Sequence, residues 1–229
     1  MTLPRITQSP TEPDFVQNPY PFYDRMRALG PLVVWEEFDQ PCAVSHAAVN
    51  AILRDRRFGR ERRDRPPVPD HLRPFYAIDD NSMLELEPPR HTRLRGLVLR
   101  AFTARRIAGL EPEIAALANE LIDAFPKGPF DLLPTFAETI PVVIIARLLG
   151  VPEAMKDQLL VWSHAMVAMY QAGRTRAIED RAAQAAADFA AFLRGYVEER
   201  RARPGDDLIT QLIAAEEAGE RLSTDELIA

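Results

Sequence analysis

The segment at residues 84–103, LELEPPRHTRLRGLVLRAFT, decides how the rest of the chain is read. Pro88-Pro89 opens a helix that runs to about Phe102, because proline is favoured in a first helical turn. On that helix His91 and Arg95 are four residues apart and share a face. Residues 90–106 contain six arginines and no acid. The cationic face also falls in the first turns, where the helix dipole favours anions. An imidazole and a guanidinium in that position suit a carboxylate or phosphate, with arginine giving charge-assisted, bidentate bonds. The same residues also describe a solvated basic face with a buried, satisfied histidine, and the motif alone leaves both open.

Around this segment the charge is uneven. The 229 residues hold 28 Lys+Arg and 34 Asp+Glu, a net charge of −6. Residues 54–106 hold fourteen arginines and eight acids, a local charge of +6. The run at 54–65, RDRRFGRERRDR, has one aromatic residue, Phe58, and interspersed acids. Such a run reads as a self-paired, solvated surface. With the acidic total, it argues against a nucleic-acid partner. The one cysteine, Cys42, makes no intramolecular disulfide, and no Cys/His cluster has zinc spacing, which fits a reducing, cytoplasmic setting. The N-terminal residues are polar and proline-rich, without the apolar core of an export signal. The longest apolar stretch, 140–151, is interrupted by Arg147 and too short for a bilayer, so no membrane association is expected. There is no G-x-S-x-G elbow, glycine-rich phosphate loop or H-E-x-x-H pair. His46, His71 and His164 are scattered and read as ordinary surface or core histidines.

Thirteen of the 20 prolines fall in residues 1–90. The first part is therefore expected to be irregular and the second mostly helical. Residues 1–18 read as an extended lead-in. A short helix follows to Leu29, and strands at Leu32–Trp35 and near Cys42–Ser45 form a hairpin. Residues 46–54 form a short helix, and 55–86 are expected to hold little regular structure. Ile107, Leu110, Ile114, Leu117, Leu121 and Phe125 recur at helical spacing, with a kink or restart at Pro112. Further helices are expected over 134–149, 153–170 and 174–200, the last two joined by Gln171-Ala172-Gly173. Another runs from Asp206 or Asp207 to about Glu217 and is stopped by Ala218-Gly219. Trp162, Met166, Met169 and Tyr170 form a sulfur-and-aromatic stripe, either helix core or the lining of an apolar pocket. Ser223-Thr224-Asp225-Glu226 is a capping box announcing one more helix.

The 84–103 segment resembles helix C of the cytochrome P450 superfamily, specifically its soluble bacterial members. The resemblance continues in order. Asn18-Pro19-Tyr20-Pro21 with Leu29-Gly30-Pro31 is similar to helix A and the first strand. Val44-Ser45, Val49, Leu53-Arg54-Asp55 and Arg57-Phe58-Gly59 are similar to the second strand and helix B. Phe130-Asp131-Leu132 and Leu148-Leu149-Gly150-Val151-Pro152 resemble the approach to helix E and its end. Asp206-Asp207-Leu208-Ile209 and Leu222-Ser223-Thr224-Asp225-Glu226-Leu227 resemble helix H and the start of helix I.

The resemblance implies a mainly α fold with a small β hairpin, a partial P450 fold from helix A to the start of helix I. It makes residues 1–229 the N-terminal part of a single domain. His91 and Arg95 would hold the propionates of heme b, and Met83, Leu84 and Phe102 would lie near the heme plane. Residues 60–83 would shape substrate access, and the helices at 153–170 and 174–200 would form a lid. An apolar small molecule would be the substrate and a ferredoxin-type protein the redox partner. Cys42 does not match the family's thiolate loop, since its neighbours place it in the hairpin. That loop, the Glu-x-x-Arg pair and the oxygen-activating residues of helix I have no counterpart in these residues. The expectation is a heme-thiolate monooxygenase fragment that is inactive alone. The alternative is a non-enzymatic helical binding or regulatory module derived from the family.

Overall fold

The computed structural model describes residues 2–61, 64–171, 173–217 and 219–229, with the side chains of Arg105, Glu216 and Glu217 left out. Arg62 and Arg63 of the arginine run, Ala172 of the expected connection and Ala218 of the expected helix stop lie outside the described residues. The chain divides into two units, Met1–Gly59 and Arg60–Ala229.

In the first unit, β1 (Arg5–Ile6), α1 (Pro13–Gln17) and α2 (Tyr20–Leu29) precede the paired strands β2 (Leu32–Trp35) and β3 (Gln40–Ala43), and α3 (His46–Arg54) follows. β2 and β3 are antiparallel, with Val33 opposite Cys42. The expected hairpin is thus present, but its second strand begins earlier than Cys42. The lead-in 1–18 is also not simply extended. Its residues 5 and 6 add a third, parallel strand against Val34 and Trp35, and Pro13–Gln17 is helical. Phe22, Met26 and Val33 are buried beneath these elements, with Phe15, Tyr23, Trp35 and Cys42 packed around them. Ser45 caps α3 by accepting from the Ala48 amide, as its position before the helix requires.

The second unit contains α4 (Arg73–Asp79), α5 (Arg90–Ala101), α6 (Ala104–Gly109), α7 (Glu111–Asp123), α8 (Thr139–Leu149), α9 (Lys156–Val167), α10 (Arg176–Ala202) and α11 (Leu208–Ala214). The ribbon β4 (Glu216–Glu217) and β5 (Glu220–Arg221) and the short α12 (Thr224–Ile228) complete it. α4 corrects the expectation of little structure across 55–86. Pro74 sits in its first turn, where no hydrogen bond is lost, so the proline permits the helix. The restart expected at Pro112 occurs between α6 and α7. A short π-helical turn, Leu133–Ala137, precedes α8, so the helix expected from 134 is two pieces. The helix expected to reach Glu217 stops at Ala214 and gives way to the ribbon.

α10 is the spine. Its alanines 182, 183, 185 and 186 are buried and let neighbouring helices approach closely, while Leu193, Tyr196 and Val197 fill the far end. α4 and α10 enclose Leu72, Phe75, Met169, Ala182 and Ala186. Val151, Leu193, Val197, Ile209 and Ile228 form a second cluster. A third lies under α5, where Leu94 and Leu97 meet Leu86, Ala215 and Leu222. Among the described residues, no helix is long and apolar enough to cross a membrane.

Candidate functional site

α5 has two faces. Leu94 and Leu97 point into the cluster just described and Ala101 is also buried, while His91, Thr92, Arg95 and Leu99 are partly or fully exposed on the other side. The helical repeat requires this division, since residues 91, 95 and 99 are spaced by four. Burying the leucines therefore fixes the direction in which His91 and Arg95 project.

These two residues line an open depression of about 460 Å³ with Thr92, Arg93, Gly96, Leu99 and Glu220. Among the described residues, neither His91 nor Arg95 has a side-chain hydrogen bond or ion pair. The other arginines of this stretch are engaged. Arg90 donates to the Asp80 carbonyl at 3.4 Å and to Asn81 Oδ1 at 3.3 Å. Arg93 is bonded to Glu226 and lies 3.2 Å from Glu220. Arg106 donates to the Asp206 carbonyl at 3.4 Å, and Arg100 also has a protein partner. Arg105 falls outside the described side chains. The basic stretch thus resolves into arginines that hold the protein together and one, Arg95, that faces the depression with His91. A site with a guanidinium and an imidazole donor beside the apolar Leu99 suits a ligand with an apolar body and anionic arms.

The other three expected site residues lie elsewhere. Met83 packs against the cluster under α5. Leu84 is 73% exposed and Phe102 38% exposed. None of the three lines the depression. The sulfur-and-aromatic stripe divides: Trp162 packs on Phe189 and Phe192, Met169 is buried beside Phe75, and Tyr170 is exposed and donates to Asp79 at 2.6 Å. His71, read as an ordinary histidine, pairs with Glu179 at 2.8 Å across 108 positions of sequence. The 54–65 run is self-paired only in part: Arg57 meets Asp55 at 2.6 Å, but Arg60 meets Glu85 at 2.6 Å and Arg65 pairs with Asp80, both outside the run.

Fold and relatives together make the chain a member of the cytochrome P450 superfamily, and a partial one. It is 36% identical over 225 residues to the cytochrome P450 monooxygenase PikC of Streptomyces venezuelae, covering 94% of this chain and 51% of that protein. It is 33% identical over 216 residues to the putative cytochrome P450 YjiB of Bacillus subtilis, covering 92% and 52%. The vitamin D(3) 25-hydroxylase of Pseudonocardia autotrophica is 36% identical over 219 residues, covering 94% and 52%. The chain therefore spans about half the length of the curated relatives it matches. Among solved structures, P450BioI in complex with an acyl carrier protein superposes with a TM-score of 0.85 at 27% identity, covering 94% of this chain and 56% of that one. The PksS cytochrome P450 of Bacillus subtilis gives 0.81 at 30% identity, covering 96% and 55%. No family model matches the chain.

Proposed function

We propose that these residues are the propionate-anchoring and substrate-facing part of a bacterial heme-thiolate monooxygenase acting on an apolar small molecule in the cytoplasm. A ferredoxin-type protein would supply electrons to the whole protein. One observation carries this reading. His91 and Arg95, four apart on a helix with a buried opposite face, have no side-chain partner among the described residues and border one depression. Heme is a flat apolar group with two carboxylates, and this donor set fits it. When bound, it supplies the O2-dependent oxidation. Arg95 and His91 would hold its two propionates, and Leu99 and Gly96, which line the same depression, would offer apolar surface beside them. Met83, Leu84 and Phe102 belong to the same reading as neighbours of the heme plane.

In this reading residues 1–229 alone hold the heme carboxylates without performing the reaction. Thiolate ligation is what supports O–O bond cleavage in this family. Cys42, the one cysteine, is in β3 opposite Val33, and its thiol donates to the Gln40 carbonyl at 3.7 Å. Titrating the 229-residue protein with hemin tests the reading. Stoichiometric binding, weakened roughly tenfold or more in His91→Ala and in Arg95→Ala, is expected from losing a charge-assisted bond. After reduction and addition of CO, the thiolate-type absorption band should be missing. A cooperatively unfolding protein that takes up no hemin would instead be the non-enzymatic module.

A further inference from the structure

We infer that Arg93 is a positioning residue that keeps Arg95 free by sequestering the carboxylate of Glu220; this rests on the reading of His91 and Arg95 as an anion site. Glu220 is the one carboxylate among the described residues lining the depression. It stands on the ribbon strand β5, and its side chain is 58% exposed, so its reach is not fixed by packing. Its described partner is Arg93, at 3.2 Å from the guanidinium Nε.

Arg93 is itself fixed. It bonds to Glu226, whose side chain is only 10% exposed. It also donates to the Arg221 carbonyl at 3.4 Å. Glu226 is held in turn, because its second oxygen accepts from the Ser223 amide at 2.9 Å in the capping box of α12. One planar guanidinium therefore ties α5 to the ribbon and to α12. Its fork offers donors in several directions, which a lysine ammonium on a flexible stem does not reproduce.

The charges in the depression leave one alternative arrangement. Without Arg93, the exposed Glu220 carboxylate and Arg95, which has no side-chain partner among the described residues, are opposite charges lining the same open space, and pairing them is favourable. Arg95 would then be occupied by the protein's own acid, and an incoming carboxylate would have to displace it. Loss of Arg93 thus weakens anion binding through Glu220, although Arg93 is not assigned a ligand contact.

The test is a mutant cycle on the full 229-residue protein. It is read first without ligand, by NMR of the Arg95 guanidinium, and then by hemin titration. In the wild type the Arg95 Nε–H should exchange rapidly and its guanidinium rotate freely. In Arg93→Gln it should become restrained, and the double variant Arg93→Gln/Glu220→Gln should restore the wild-type behaviour. Hemin affinity should fall about two- to fivefold in the single variant, the range for an exposed ion pair, and return in the double variant. Arg93→Lys is the gentler substitution should Arg93→Gln fail to fold. Its single ammonium goes to the more buried Glu226, which releases Glu220 and gives the same direction of change. A merely structural role for Arg93 predicts that removing Glu220 rescues nothing. An unchanged Arg95 signal in Arg93→Gln and Arg93→Lys, or no rescue, overturns the inference. If the Arg95 signals follow the cycle while no variant takes up hemin, sequestration stands and the heme reading fails.

Discussion

Gly150 and Asp207 are packed so closely that a Cβ added to the glycine would lie 2.5 Å from the aspartate Cβ. Gly150 ends α8 in the left-handed conformation, at φ +75°, and its carbonyl accepts from Tyr196 and, at 3.2 Å, from Arg200. Gly173 has nearly the same φ, +73°, but open space around it. Gly173→Ala should therefore cost only the backbone strain, about 1 kcal/mol. Gly150→Ala adds a collision with a buried side chain and should cost at least ~2 kcal/mol more. Urea denaturation of both variants separates the terms, and equal losses would show that Asp207 gives way freely.

Asp207 is 4% exposed and uses both carboxylate oxygens. One accepts from the Thr210 amide at 2.7 Å, capping α11, and the other from Arg200 Nε at 2.6 Å. Asp207→Ala removes a cap and leaves a largely buried guanidinium short of its partner, for a loss of roughly 3 kcal/mol. Asp207→Asn keeps an oxygen for the cap and should fall in between. Asp206→Ala, next in sequence but fully exposed, should leave the thermal midpoint unmoved. If the neighbouring substitutions behave alike, the ion pair is not what stabilises this corner.

Two carboxylates, Asp79 at the C-terminal end of α4 and Glu179 in the first turn of α10, should give opposite pH responses. Burial pushes Asp79 above the ordinary carboxylate range, against the lowering effect of the Tyr170 hydrogen bond. Its folded form binds a proton more tightly than its unfolded form, so this group's contribution is present in acid and is lost as pH rises through the folded value. The hydrogen bond from His71, and then that from Arg174, hold Glu179 below its ordinary value. Its contribution is present above the unfolded value and is lost as pH falls through the folded one. Between about pH 3 and 6, Asp79→Asn should make stability rise more steeply with pH, and Glu179→Gln should make it rise less steeply. Denaturation midpoints across that range check both signs, and matching slope changes would contradict the assignment.

The helices were legible because their signals are local. The spacing of Leu110, Leu117 and Leu121 reports a face that does pack, against Val143 and Ile144. The capping box at Ser223 and Glu226 forms with both of its bonds. α4 was not legible. Its anchors, Leu72 and Phe75, are two apolar residues in a proline-rich stretch, and they become a core only beside Met169 and Ala182, a hundred residues later. The third strand of the small sheet was hidden for the same reason: residues 5 and 6 carry no strand signal until β2 lies beside them. At the site, His91 and Arg95 could be read from their spacing. The different fate of Arg93 could not, because Glu226 reaches it across 133 positions and had already been accounted for as a cap.

The second unit also presents large apolar side chains to solvent. Leu132 and Leu133 are 52% and 63% exposed before α8, and Ile145 is 52% exposed on it. Exposed apolar area of this kind favours association, since each leucine or isoleucine withdrawn from water contributes about 1.5–3 kcal/mol when fully buried. The purified 229-residue protein should therefore bind an apolar dye and sediment as concentration-dependent oligomers. Because Leu133 and Ile145 project outward, Leu133→Lys and Ile145→Lys should reduce association without lowering the unfolding midpoint. The second half of that expectation is the discriminating one. A core residue changed to lysine would destabilise the monomer and increase association, whereas an exposed one should do neither. Sedimentation velocity and dye fluorescence on the wild type and both variants decide the matter, and a monomeric wild type at all concentrations would show that these side chains do not drive self-association.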